Sequence, residues 1–371
     1  MTENIIKKDE QAVFSLRSLY RKFGYARYKM SRFEEYDLYV RNKDFLVSDE
    51  VITFTDHTGR LLALKPDVTL SIVKHTKPET KTQKLFYHEN VFRREKNNRE
   101  YGEIWQMGLE FIGGGNGYAE AEVVYLALES LKLIGGESIL NISHMGYMAA
   151  LLDYMGIMQE NRDTVLNALR QKNQSEAAAA ARNAGAGENE IAVLCQLANF
   201  SMPLEKGLAK LRELCLTKEM EDAVSGMEEL ADGLKYLGGT ENIRVDFSVV
   251  NDMDYYNGLV FQGYVNGIPR AVMAGGRYDN MMRRLNKPQP AVGFAVYLGE
   301  LERALREPKA YDVDAILIYG DASASAAARA VSALMGEGIS VRAEKEMPAD
   351  VRARRIYRLL PDGRMEVQLH A

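Results

Sequence analysis

The segment KLFYHENVFRREKNNREYGEIWQMGLEFIG, Lys84 to Gly113, decides the fold. Leu85 to Arg94 is rich in strand formers, Glu95 to Gly102 is charged and turn-like, and Ile104 to Ile112 is strand-like again. The simplest geometry is an antiparallel pair joined by a solvent-facing loop. Within its second arm, Gln106 and Glu110 stand among Trp105, Met107, Leu109, Phe111 and Ile112.

Working outward, Val13, Leu16, Leu19, Tyr20 and Phe23 recur at helical spacing within 9–29, and Gly24 follows as a stop. Phe45 to Val47 reads as a strand. Val51 to Phe54 and Leu61 to Leu64 form a hairpin candidate around His57-Thr58-Gly59, ended by Pro66, and a helix begins near Leu70. A helix is predicted over 118–134, closed by Gly135-Gly136. From 145 to 236 the chain is dense in Ala, Leu, Glu, Lys and Met, with breaks near Gly185-Ala186-Gly187 and Ser201-Met202-Pro203. That pattern reads as a helical module inserted into a sheet domain. Strand character returns over 243–298, with a hairpin turn at Asn266-Gly267, and a helix follows from Gly299 to Arg306. Beyond Tyr311 comes a small α/β piece with strands at 315–319 and 339–343 and a helix at 322–336, short enough to be marginal, truncated or docked on the rest. The expected organisation is a core of 1–144 and 237–308, an inserted module of 145–236, and a C-terminal segment of 309–371.

The 371 residues, 46% hydrophobic and 27% charged, suffice for a real core. A net charge of −5 argues against a protein whose main work is gripping nucleic acid. The basic cluster Arg342, Lys345, Arg352, Arg354, Arg355 and Arg358 is interspersed with Glu344, Glu346 and Asp350 and reads as a solvated helix face. Cys195 and Cys215 read as small buried hydrophobes, and the five histidines show no metal-ligand spacing. Nothing asks for a cofactor. MTENIIKKDE has no apolar signal region and no run is long enough to span a membrane, so the expected compartment is the cytoplasm.

Four segments carry chemistry: LKPDVT (64–69); FRRE (92–95) with WQMGLEFIG (105–113); DYYNGLVF (254–261); and AGGRYD (274–279) with AVGFA (291–295). They supply carboxylates (Asp67, Glu110), an amide and a hydroxyl (Gln106, Thr69), phenols (Tyr255, Tyr256) and arginines (Arg93, Arg277). A zwitterionic amino acid needs that mixture. Its ammonium needs acceptors such as Asp67, Thr69 and Gln106, and its carboxylate needs an arginine. A polar side chain needs a buried acid and a phenol, such as Glu110 and Tyr256. Alone, each feature has a plainer reading: Gly275-Gly276 as a turn, Tyr255-Tyr256 as one core and one surface residue, Arg93-Arg94-Glu95 as a solvated ion-pair cluster. Together and in this order they are far more specific.

The order and wording of these segments resemble the catalytic core of histidyl-tRNA synthetase, a class II aminoacyl-tRNA synthetase, over about 10–300. The resemblance implies an α+β fold: an antiparallel sheet flanked by helices, with an inserted helical module and a small C-terminal α/β segment. It implies that Asp67 (a glutamate in the synthetase), Thr69 and Gln106 hold an amino group and that Glu110 and Tyr256 read an imidazole. It also implies dimerisation.

Three positions depart from the synthetase. Asn251 stands where the synthetase has an arginine that assists adenylate formation; Gly299-Glu300 matches a Glu-Arg pair whose arginine clamps ATP phosphate; Gly102 matches another arginine. Adenylyl chemistry is mostly positioning and charge neutralisation, so such losses cost about 10²–10³-fold in rate. An amino-acid pocket kept beside a decayed ATP site resembles the synthetase-like regulatory subunit of ATP phosphoribosyltransferase. The glycine in Tyr256-Asn257-Gly258, where the synthetase usually has arginine, is closer to that family. The implied role is non-catalytic: assembly with a short catalytic subunit in a hetero-oligomer, with histidine as effector of feedback inhibition and no tRNA partner. The alternatives are an active histidyl-tRNA synthetase and another synthetase-like paralogue.

Overall fold

A computed structural model of the chain describes residues 8–41, 51–77, 79, 81–94, 101–114, 117–250, 256–305 and 311–370. The chain divides into two compact units, one of Lys8–Leu305 and one whose described part is 311–370.

The first unit opens with α1 (Lys8–Lys22), β1 (Ala26–Arg27), β2 (Phe33–Glu35), α2 (Asp37–Val40), β3 (Thr53–Thr55), β4 (Leu61–Leu64) and α3 (Thr69–His75). The helix at the start ends at Lys22, and Gly24 follows at φ +82°. The expected hairpin is present, β3 pairing with β4 from Thr53↔Ala63 to Thr55↔Leu61. The strand expected at Phe45 to Val47 lies outside the described residues. Next come β5 (Thr82–Arg94), β6 (Tyr101–Gly113), α4 (Tyr118–Ile134) and β7 (Ser138–His144). β5 and β6 pair antiparallel from Thr82↔Gly113 to Arg94↔Tyr101, the geometry predicted from their sequence. α4 is built of strong helix formers and stops at Gly135 and Gly136, both at positive φ, where a side chain would be strained.

The stretch 145–237 is helical, as expected: α5 (Met145–Tyr154), α6 (Gln159–Arg170), α7 (Gln174–Asn183), α8 (Glu188–Ala198), α9 (Leu204–Glu213) and α10 (Lys218–Leu237). The break at Ser201-Met202-Pro203 is itself a short strand, β8 (Ser201–Pro203). α7 and α10 begin on side-chain caps, Asn173 accepting from the Glu176 amide and Thr217 from the Met220 amide. The chain then returns through β9 (Ile243–Asp246), β10 (Leu259–Val265), β11 (Met273–Arg277), α11 (Asp279–Arg284), β12 (Ala291–Tyr297) and α12 (Leu298–Leu305).

Nine of these strands make a sheet in the order β1-β5-β6-β12-β11-β10-β7-β9-β8, and the other three a separate sheet in the order β2-β4-β3. Pairs in the nine-stranded sheet are antiparallel except β1 with β5 and β7 with β9. One face carries Leu109, Phe111, Phe261 and Phe294 into the main core with α1 and α4. The other carries Leu85, Tyr87, Val91, Ile112 and Ala291 into a second core with α3 and α11.

The C-terminal unit holds β13 (Val313–Ile318), α13 (Ala324–Gly336), β14 (Val341–Glu344), β15 (Ala353–Leu359) and β16 (Met365–His370), in a sheet ordered β14-β13-β15-β16. This corrects the reading of the basic cluster as a helix face. Arg342 lies on β14, and Arg354, Arg355 and Arg358 lie on β15, where Ala353, Tyr357 and Leu359 turn inward. Cys195 and Cys215 are half-buried free thiols. Among the described residues no helix is long and apolar enough to cross a membrane, and no group of three or more His, Cys, Asp or Glu could hold a metal ion.

Candidate functional site

Side chains alternate across a strand, so the second face of the sheet can be read residue by residue. On β6 it presents Gln106, Gly108, Glu110 and Ile112. On β12 the partner of Glu110 is Gly293 and that of Gln106 is Tyr297; Gly293 pairs in turn with Gly276 on β11. On β5, Leu85, Tyr87, Glu89, Val91 and Arg93 share this face, Leu85 opposite Glu110 and Glu89 opposite Gln106.

Three glycines floor the site because nothing larger fits. A Cβ on Gly293 would lie 1.8 Å from Glu110 Oε2 and 2.5 Å from the Leu109 carbonyl oxygen. A Cβ on Gly276 would meet the Tyr256 ring at 2.7 Å, and one on Gly108 would meet the Tyr87 hydroxyl at 2.5 Å. The Gly275-Gly276 pair is thus strand, not turn.

Glu110 stands at the centre, 2% exposed. The Thr69 hydroxyl donates to its Oε1 at 2.6 Å, and the Tyr278 hydroxyl to its Oε2 at 2.6 Å. Burial pushes its carboxyl up to about 8, outweighing these two donors, which favour the ionised form; the negative field of Asp67 adds to the rise. Thr69 opens α3, and Asp67, just before it, accepts the Leu70 amide at 2.7 Å. Asp67 is also raised, chiefly by desolvation, with the Leu70 bond and the Arg93 charge opposing. Arg93 therefore lies within electrostatic reach of Asp67. Its Nε is a buried donor with no hydrogen-bond partner among the described residues. Gln106 is 3% exposed on the same face, and burial raises the Tyr256 phenol well above its ordinary range.

Of the residues singled out from sequence, Asp67, Thr69, Arg93, Gln106, Glu110 and Tyr256 share this face of the sheet. Tyr255 and Asn251 lie outside the described residues. Arg277 is not brought into the cluster. It occupies the strand position between Gly276 and Tyr278, so it projects to the opposite face. There its Nη1 donates to Glu120 Oε1 at 3.1 Å and its Nε to Asp279 Oδ2 at 2.8 Å. Tyr278 was not singled out, although it lies within the quoted AGGRYD segment. The alternation that turns Arg277 away is the signal that turns Tyr278 in. Glu300, in the first turn of α12, is 3.7 Å from Arg270.

The family model for histidyl-tRNA synthetase matches residues 2–301. The chain is 31% identical to an ATP phosphoribosyltransferase regulatory subunit of Anaeromyxobacter sp., over 78% of this chain and 86% of that protein. It is 28% identical to a histidine–tRNA ligase of Methanocaldococcus jannaschii, over 78% of this chain and 70% of that one. A crystal structure described as an ATP phosphoribosyltransferase regulatory subunit/histidyl-tRNA synthetase from Bacillus halodurans C superposes with a TM-score of 0.74 at 25% identity, covering 91% of this chain and 88% of that one. A sheet of this order, a core matched from end to end and relatives of these names lead to one assignment: the chain belongs to the family of ATP phosphoribosyltransferase regulatory subunits, built on the histidyl-tRNA synthetase core.

Proposed function

We propose that this chain is the non-catalytic regulatory subunit of an ATP phosphoribosyltransferase in histidine biosynthesis. It binds histidine on the Glu110 face of its sheet and confers activity and feedback inhibition on a short catalytic subunit. The observation that carries the reading is Glu110: a buried, desolvated carboxyl, oriented by two hydroxyls above a floor of glycines. Burying such a group is costly unless a partner repays it. An imidazole does so, because the pair can share one proton. Asp67, Thr69 and Gln106 receive the ammonium, Tyr256 and Tyr278 flank the imidazole, and the Arg93 Nε, unpaired among the described residues, suits the carboxylate. Tyr255 belongs to the same proposed site. Histidine inhibits only if it binds one assembly state better than another, and partner binding then changes histidine affinity by the same factor.

Calorimetric titration with L-histidine tests the site. Glu110→Gln removes the acid that shares the proton with the imidazole and should weaken binding about thirtyfold. Unchanged affinity in that variant would sink the assignment.

The ligase relative favours a second reading, an active histidyl-tRNA synthetase. Against it stands Glu300, a carboxylate where the synthetase carries an arginine on triphosphate, together with the net charge of −5. ATP–pyrophosphate exchange with histidine should be absent, and absent also in Glu300→Arg, because Asn251 remains. Robust exchange in either protein would overturn the non-catalytic reading.

A further inference from the structure

Behind the Glu110 site, on the opposite face of the sheet, lies a cavity of about 220 Å³. Its walls include Glu120 of α4, His144 at the end of β7, Met227 and Leu230 of α10, Asn257 and Arg277. Two pairs of consecutive residues join this cavity to the site. Tyr256 faces the site and Asn257 the cavity; Tyr278 reaches Glu110 and Arg277 reaches Glu120.

The cavity side is knitted together. Arg277 bridges Glu120 and Asp279. The second oxygen of Asp279 accepts the Ala291 amide at 3.0 Å, and the Asp279 amide donates to Asn257 Oδ1 at 3.0 Å. The Asn257 amide donates to the Arg277 carbonyl at 3.3 Å, and the Tyr278 amide to the Ala291 carbonyl at 2.9 Å. A Cβ on Gly258 would stand 3.0 Å from Arg277 Cδ, so the arginine stem lies directly against that backbone. The struts that hold the backbone beside Tyr256 and Tyr278 therefore run through Arg277, Asp279 and Asn257.

We infer that Arg277, clamped by Glu120 and Asp279, is a positioning residue that sets Tyr278 and Tyr256 against the ligand from behind the sheet, without touching the ligand. This rests on the histidine reading above and deepens it. A guanidinium held by two carboxylates is a rigid fork that lysine does not reproduce, since one ammonium cannot hold both arms in that geometry. Rigid support of this kind decides whether a binding group is well placed or loose. Met227 and Leu230 bring the helical stretch to the same cavity, so the brace also gives that stretch a physical route to the site.

The test is calorimetric titration of the full chain and its variants with two probes. L-histidine carries ammonium, imidazole and carboxylate; L-histidinol keeps the first two and lacks the third. Arg277→Gln should weaken both probes by the same factor, about tenfold, and Arg277→Lys should recover part of that loss for both. Glu120→Gln, which leaves the Asp279 arm in place, should reproduce a smaller equal loss and decides the matter if Arg277→Gln does not fold. A loss confined to L-histidine would overturn the inference by making Arg277 the direct partner of the carboxylate. Wild-type affinity for both probes in Arg277→Gln or in Glu120→Gln would overturn it as well. Binding of neither probe to the wild-type chain would instead remove the histidine reading, and this inference with it.

Discussion

On one face of the nine-stranded sheet, Leu109, Phe261 and Phe294 meet α1 and α4 in an apolar core; on the other, the same strands raise Gln106 and Glu110 over glycines. The first face has a helix to fill it. Leu131 of α4 is fully buried and reaches to within 2.8 Å of where a Cβ on Gly263 would stand. The second face keeps side chains short at Gly108, Gly276 and Gly293 and holds an acid that burial opposes. Stability explains the first face. The second lowers stability for no gain in the free chain, and the proposed histidine binding supplies the reason.

The largest effect of a substitution belongs to the helical face: Leu131→Ala leaves a cavity and should cost about 3 kcal/mol of unfolding free energy, read by denaturant titration, while histidine affinity stays unchanged. A parallel loss of affinity would show that the faces are not independent. Next comes the floor. Gly293→Ala drives a methyl into Glu110 and the Leu109 carbonyl, and should lower histidine affinity by about 2 kcal/mol, some thirtyfold, in a calorimetric titration. Retained affinity would place the ligand elsewhere.

The shared proton gives a pH signature. A neutral Glu110 carboxyl, at about 8, meets a neutral imidazole, whose ordinary value is about 6.5. Below about 6.5 a proton must be released on binding, and above about 8 one must be taken up. Affinity should be flat between these limits and fall by up to about tenfold per pH unit outside them. A monotonic profile across that range would contradict the pairing.

A change of pH, rather than of sequence, probes the free chain. The folded state raises Glu110 from 4.5 to about 8, so its contribution to stability is present below pH 4.5 and is lost as pH rises through 8. Every tenfold weakening of the acid on folding corresponds to about 1.4 kcal/mol. Thermal melts at pH 5 and pH 8.5 should show wild type losing more stability than Glu110→Gln; an equal loss would mean that Glu110 is already ionised.

Much of this was legible in sequence where a pattern had one physical cause. The strand formers of Leu85 to Arg94 and Ile104 to Ile112, on either side of a charged turn, gave the β5–β6 pair, and the Ala/Leu/Glu run of 118–134, closed by two glycines, gave α4. β7 escaped because its seven residues lie between the glycines that close α4 and the helical stretch that begins directly after it. The basic cluster misled because Arg354, Arg355 and Arg358 crowd out the alternation of Ala353, Tyr357 and Leu359. At the site, residue types were readable but facing was not. Arg277 and Tyr278 are neighbours in one segment, and only the pleat and register of β11 separate them onto opposite faces.

The most direct test of the account is a phosphoribosyltransferase assay with the short catalytic subunit of the same organism, alone, with the wild-type chain and with Glu110→Gln, each with and without histidine. The account predicts that both chains raise activity and that histidine then inhibits the wild-type assembly alone. Activity indifferent to the chain would contradict the regulatory reading, and undiminished histidine inhibition in the Glu110→Gln assembly would contradict the sensor.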